Sequence, residues 1–294
     1  MCIVESGRYL TPFQRIGLGL MGAAYDDKRR IILESTRLSY AARNRNIDPV
    51  YLPPNLPETM LEAAKEYYFL GHAFNQYGHF ILESLPMLSV LFEQPKSTGV
   101  FLPFQNARNV LYKFLDILNI DRSRLMIHST PSILEFDFGV IKKPIAINDC
   151  LIDIARYRNI IDRILWKVSI SGERNRKIFV ERAPNRMPVS VYTFVRDFFV
   201  SAGFTPIIPT DYSIEDQIRL FSEASHIASV PGSQIHNVMF SLPNTTLYEV
   251  GDERSRDWSL SNQRICCEIS SSKHHFVKYR EDVMDLRKDL KNLL

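Results

Sequence analysis

Three stretches of the chain carry side chains that chemistry can use. In residues 71–88, GHAFNQYGHFILESLPML, the polar Asn75, His79 and Glu83 interrupt an otherwise apolar run. His79 and Glu83 are four apart, so on a helix they share one face. A lone histidine there is more often a satisfied core residue, but a histidine and a carboxylate projecting together are the types that move protons. In residues 177–188, KIFVERAPNRMP, an apolar strand runs into a loop bearing Arg182 and Arg186. Two planar guanidinium forks four residues apart suit a diphosphate, each giving paired charge-assisted bonds to phosphate oxygens. A solvated basic loop is the plainer alternative. In residues 226–251, HIASVPGSQIHNVMFSLPNTTLYEVG, the pattern is strand, small-residue turn, short helix, turn and strand. A turn on Gly232 and Ser233 lets backbone N–H groups approach an anion at the positive end of the following helix. Taken alone that turn favours a structural reading, since many strand-to-helix turns carry glycine and bind nothing.

Together and in this order, the three segments resemble the family 61 glycosyltransferases, a group that includes bacterial capsular polysaccharide transferases and eukaryotic xylosyl- and N-acetylglucosaminyltransferases. The resemblance spans most of the chain. Asn75, His79, Glu83, Leu85 and Pro86 match the family's first motif. Arg182 and Arg186 match its arginine loop, and Gln217, Ile218, Gly232, Ser233, Asn237, Phe240, Pro243 and Glu249 match the last. One departure is Pro231, which stands where the family has a histidine before the turn glycine, with residues 234–236 also unlike the usual small or apolar ones. Backbone contacts at 232–234, Gln234 among them, do not depend on that histidine.

The resemblance implies an inverting transferase that moves a sugar from a nucleotide-sugar donor to a growing surface or capsular polysaccharide acceptor. Such an enzyme must stabilise a nucleoside diphosphate leaving group and deprotonate the acceptor hydroxyl. Arg182, Arg186, Gly232, Ser233, Gln234 and Asn237 are the expected donor contacts. Glu249, at its strand end, would accept from ribose hydroxyls, with an exposed strand-end carboxylate as the alternative. Glu83 is the expected base and His79 orients it, or the two exchange roles. Asn75 bonds backbone or substrate at the turn before them. No Asp-x-Asp occurs anywhere in the chain, so metal-independent chemistry is expected, with arginines and a helix end neutralising charge. The nucleotide-sugar is then a substrate, and no cofactor is expected. Transfer of another group to a glycan, such as pyruvyl or phosphosugar, would also want arginine-rich pockets. A non-catalytic nucleotide- or glycan-binding subunit is a further alternative, prompted by Pro231.

The composition fits this class of protein. The chain has 294 residues, 45% hydrophobic and 23% charged, enough for one large or two medium domains. A net charge of +3 is too mild for a nucleic-acid binder, though it suits handling of anionic nucleotides or work near an anionic membrane. The seven histidines show no zinc-site spacing, and HHFVKYR, residues 274–280, reads as part of the fold. Cys2, Cys150, Cys266 and Cys267 form no C-x-x-C pair, which points to a reducing compartment. Glu5 and Arg8 break up a start poor in apolar residues, unlike a signal peptide, and no run approaches the ~18 apolar residues of a membrane span. The expectation is a cytoplasmic protein, with peripheral contact at the inner membrane face as a second role.

Strand and helix patterns alternate along two stretches. In the first half, residues 29–38 read as a strand, 51–57 as a proline-rich connector, 58–67 as a helix and 67–70 as a strand. Strands then follow at 99–103 and 125–128, with a helix at 107–118 between them. Apolar spacing over 148–170 predicts a long connecting helix. Beyond it, strands at 177–181, 206–208, 226–230 and 246–250 alternate with helices at 189–202, 214–224 and 233–240. The expected fold class is α/β and GT-B-like, with two Rossmann-like domains, 1–165 on the acceptor side and 166–294 binding the donor, facing a central cleft. In the tail, Val283, Leu286, Leu290 and Leu293 form one helical stripe that packs back on the protein, or serves as a membrane-surface or partner helix.

Overall fold

A computed structural model describes residues 4–11, 23–32, 35, 58–60, 66–104, 108–129, 133–141 and 153–293. The chain divides into two compact units, 1–156 and 157–294.

The first unit is built on β1 (Val4–Thr11), β2 (Ala23–Tyr25), β3 (Glu58–Met60), β4 (Tyr67–Phe74), β5 (Thr98–Phe104), β6 (Leu125–Ile127) and β7 (Ile133–Ile141). Their order is β2-β1-β7-β4-β5-β6, with β3 also on β7. β7, β4, β5 and β6 run parallel, and β1 is antiparallel to both β2 and β7. Parallel neighbours need crossovers. A helical run over residues 77–93 carries β4 to β5, and α3 (Arg108–Leu118) lies between β5 and β6. Tyr67, Phe69, Val100, Leu102 and Leu134 form the buried core of the sheet.

Two expectations for this unit change. Residues 58–60 are a strand parallel to β7 rather than the start of a helix, because sheet pairing outweighs the helical propensity of Glu and Met. Residues 61–65 lie outside the described ones. In place of a strand over 29–38, Asp26 accepts from the backbone N–H groups of Lys28 (2.9 Å) and Arg30 (2.8 Å), which closes a turn with one bridge, Tyr25 to Ile31. Residues 33–34 and 36–38, and the proline-rich 51–57, lie outside the described ones.

α4 (Ile154–Val168) is the long connecting helix, and the division of the chain falls inside it. Its predicted start, 148–152, lies outside the described residues. Tyr157, Ile160, Ile161, Ile164, Leu165 and Val168 are buried along one stripe, as helical periodicity requires.

In the second unit β8 (Arg176–Val180), β9 (Thr205–Ile207), β10 (Ala224–Ser229), β11 (Thr246–Val250) and β12 (Lys273–Val277) are all parallel, in the order β12-β11-β10-β8-β9. Counted within the unit, the order is 5-4-3-1-2, a doubly wound sheet whose direction of winding reverses between β8 and β10. Connections are α5 (Val189–Ser201), α6 (Ile214–Ser222), a 3₁₀ helix (Ser233–Phe240) and α7 (Ser261–Ser270). Side chains alternate across each strand. Phe179, Ala228, Tyr248 and Val250 pack with Val191, Val195 and Phe199 of α5, while Ile178, Ile227 and Leu247, also buried, face the other way. The two histidines at 274 and 275 point to opposite faces: His274 reaches Glu249 and His275 stacks on Tyr248.

α8 (Val283–Lys291) closes the unit. Asp282 caps it by accepting from Met284 N (2.7 Å) and Asp285 N (3.0 Å). Leu286 and Leu290 are fully buried in the same core as α5, with Val283 and Leu293 beside them. The tail stripe therefore packs back on its own unit. Leu286→Ala is expected to destabilise the protein by about 2–5 kcal/mol, read as a lower denaturation midpoint; an unchanged midpoint would mean that the helix is not part of the folded core. No helix among the described residues is long and apolar enough to cross a membrane.

Candidate functional site

The first group of residues sits where β4 ends. Gly71, with φ +84°, lies within a register shift of β4, a backbone position that disfavours a side chain. Asn75 and Gln76 then form an exposed bend. The helical run after it is irregular: α1 (Tyr77–His79), a π turn (Phe80–Ser84), a 3₁₀ turn (Leu85–Ser89) and α2 (Val90–Glu93). π turns are rare and recur at functional positions. Ser84 fastens this one to the strand by donating to His72 O (2.7 Å) and accepting from Phe74 N (3.1 Å). Phe80 anchors it further by stacking on Phe114 at 5.4 Å.

Glu83 stands in this almost wholly buried stretch. A carboxylate there needs a partner, and it has one: Oε1 lies 2.6 Å from His79 Nδ1. The two side chains differ in access, 43% exposed for His79 and 7% for Glu83. Phe74 lies against the imidazole, centroids 5.4 Å apart. A buried carboxylate behind a solvent-facing imidazole fixes the ring's orientation, as in a catalytic triad. The expectation had the carboxylate as base first; the geometry sets His79 outward and Glu83 behind it. Asn75 is exposed at that bend.

The second group lies at the carboxyl ends of β8 and β10, where the winding of the sheet reverses and ligands of open α/β sheets are held. Arg182 follows β8 by two residues. Its N–H donates to Tyr192 Oη (3.1 Å), and its guanidinium donates to Asn185 Oδ1 (2.6 Å) and to the carbonyl of Pro231. Both acceptors of the guanidinium are neutral, so these two bonds aim the cation without pairing its charge. Burial lowers the Arg182 pKa most, with Arg186 adding to this and Asp252 and Tyr192 opposing it. Arg186 is half-buried, and its side chain has no hydrogen bond or ion pair among the described residues.

Gly232 closes the other side. Its backbone is extended, so its need is for space: a Cβ there would run into Arg182 Nη1 and Gln234 Oε1. The segment beyond it, Ser233–Phe240, is a 3₁₀ helix rather than an α-helix, with Ile235 N bonding back to Gly232 O (3.2 Å). Its first N–H groups, at Ser233 and Gln234, have no partner within the helix. Ser233 is exposed, while Gln234 folds its amide back on Val230 O (3.0 Å).

Two expected donor contacts lie deeper. Asn237 is 1% exposed and donates to Gln217 Oε1 (3.0 Å), which ties the 3₁₀ helix to α6 and keeps its side chain behind the turn. Glu249 is no exposed strand-end carboxylate. It is fully buried, its Oε2 accepts from Ser259 and lies 2.8 Å from His274 Nε2, and its Oε1 has no hydrogen-bond partner. Cys266 and Cys267 are free and buried nearby, and burial holds the Cys267 thiol up at about 12, which leaves it unreactive.

Sequence reasoning passed over Ser84, Ser259 and Arg254. The last had a signal, since GDERSRD, residues 251–257, is another arginine-bearing loop directly after a strand. Glu83 and His79 thus meet in the first unit, and Arg182, Arg186, Gly232 and Gln234 gather in the second. Among the described residues no group of His, Cys, Asp and Glu is placed to hold a metal ion.

The family model for glycosyltransferase 61 matches residues 77–248, more than half of the chain. The chain belongs to this family. No curated protein matches it. The family 61 match contains His79, Glu83, Arg182, Arg186 and the Gly232 turn, stops one residue short of Glu249, and leaves Asn75 and Arg254 outside.

Proposed function

We propose that this family 61 glycosyltransferase takes a sugar from a nucleotide-sugar and adds it, with inversion, to a growing surface or capsular polysaccharide. The observation that carries the donor half is the meeting of the Arg182 guanidinium and the Gly232 turn at the winding reversal of a doubly wound sheet. Arg182 and Arg186 grip the diphosphate, and the N–H groups of Ser233 and Gln234 face it. Pro231 suits this reading, because the turn uses that residue's carbonyl to aim Arg182. Asn237 positions the turn. Glu249, whose Oε1 has no hydrogen-bond partner among the described residues, is the acceptor for a ribose hydroxyl.

The first unit supplies the base, in the division of labour of a GT-B transferase. His79 takes the proton of the acceptor hydroxyl, and Glu83 holds the imidazole and balances its charge. The acceptor oxygen bonds to the anomeric carbon as the bond from that carbon to the phosphate oxygen breaks. Its electron pair leaves with the nucleoside diphosphate. Asn75, exposed beside the pair, is placed to contact the acceptor. We place the enzyme in the cytoplasm, peripheral to the inner membrane face, where the free cysteines suit a reducing environment.

Thermal-shift titration against UDP-, GDP-, CMP- and dTDP-sugars tests the donor assignment. A ligand at a hundred times its Kd stabilises the fold by about 2.7 kcal/mol, so one nucleotide class should raise the Tm, and a flat response to all of them would overturn it. Activity should persist in EDTA, since arginines and backbone donors carry the charge. Loss of turnover in EDTA with recovery in Mn²⁺ would show that a metal takes part.

A further inference from the structure

Arg182 and Arg186 are not the last cations at this end of the sheet. Val180, Ser229 and Glu249 are in register on β8, β10 and β11, so the loops that leave these strands start side by side. The loop after β11 is tied to the arginine loop by Glu253 N donating to Arg186 O (3.1 Å). Asp252, 2% exposed, shapes it by accepting from Arg254 N (3.0 Å), Ser255 N (3.1 Å) and the Ser255 hydroxyl (3.0 Å). Ser259 pins its far end to Glu249. The result is an ordered turn that brings Arg254 within electrostatic reach of Arg186 and Arg182, with Asp252 and Glu249 as the acidic groups in range. Arg254 is exposed, and like Arg186 its side chain has no hydrogen bond or ion pair among the described residues. Like charges held together in this way are unfavourable unless an anion completes them, and such clusters mark functional sites.

We infer that Arg254 is a third diphosphate-binding residue, which meets the charge that appears on the departing nucleoside diphosphate. This rests on the donor reading of the same site. When the bond from the anomeric carbon breaks, the electron pair stays on the phosphate oxygen, and the leaving group gains one unit of negative charge. The acceptor oxygen takes its place on the carbon and its proton goes to His79. A cation matched to that added charge acts most strongly in the transition state and the product complex. The diphosphate product should therefore feel Arg254 more than the intact donor does.

Calorimetric titration with inorganic pyrophosphate and with UDP, GDP and dTDP tests this on the wild type, Arg254→Gln, Arg254→Lys and Arg182→Ala, with Tm read for each. For whichever probes the wild type binds, Arg254→Gln should weaken affinity about tenfold to a hundredfold at unchanged Tm. Arg254→Lys, which keeps the charge without the fork, should fall between. Arg163→Gln, on the exposed surface of α4, should bind as wild type. If Arg254→Gln binds as wild type while Arg182→Ala loses affinity, the Arg254 assignment falls and the donor reading stands. If the wild type binds neither pyrophosphate nor any of the nucleoside diphosphates, both fall.

Discussion

His79→Ala is expected to lower turnover by about 10²–10⁴-fold while leaving donor affinity close to that of the wild type. The imidazole is the exposed member of its pair, while the carboxylate behind it is buried and turned to the ring. Glu83→Gln should be damaging too, because an amide keeps the shape but cannot balance an imidazolium held 2.6 Å away. Rescue separates the roles. Added imidazole should restore part of the activity of His79→Ala, whereas formate should do so for Glu83→Ala. A His79→Ala enzyme within a few-fold of wild type, beside a disabled Glu83→Gln, would move the base to Glu83.

Arg182→Ala should weaken nucleotide binding by about 1.5–3 kcal/mol, the range for a charge-assisted bond. The guanidinium spends two of its five donors on neutral acceptors, Pro231 O and Asn185 Oδ1, and keeps the rest with its full charge. Arg182→Lys should recover only part of the loss, because an ammonium cannot hold the Pro231 carbonyl and two phosphate oxygens in one plane. Arg186→Ala should lie in the same range, its side chain having no hydrogen bond or ion pair among the described residues. Both variants should fold, since neither side chain lies in a core cluster. Unchanged UDP affinity in Arg182→Ala by calorimetry would rule out the grip.

The strands and helices of the second unit up to β11 were legible because their signals are local: strand runs of buried residues, helical stripes, and turns with Gly, Pro or Asn; α7 and β12 were not read as separate elements. The helix 189–202 and the strand 246–250 were read within a residue or two of α5 and β11. Residues 58–60 were misread because a strand specified by its neighbour leaves little mark in its own composition, and β7 lies some seventy residues away. The same limit applies to the site. The spacing of His79 and Glu83 foretold that they share a face, but not that a π turn buries one and exposes the other. Asn237 and Glu249 could be matched to a motif, yet whether they face solvent depends on Gln217, Ser259 and His274, each distant in sequence. Arg254 escaped because its meaning comes from Arg186, on a loop that reaches it only after the chain has wound through β9, β10 and β11.

Nucleotide release from a panel of UDP-, GDP-, CMP- and dTDP-sugars, measured in EDTA with and without a glycan acceptor, is the most direct test of the sugar transfer proposed for this chain. Wild-type protein should release nucleotide from one donor class, faster with acceptor present, and the release should fall sharply in His79→Ala and, at subsaturating donor, in Arg182→Ala. Binding of a nucleotide with no release or transfer from any donor would contradict the assignment and leave a protein that holds nucleotides without acting on them.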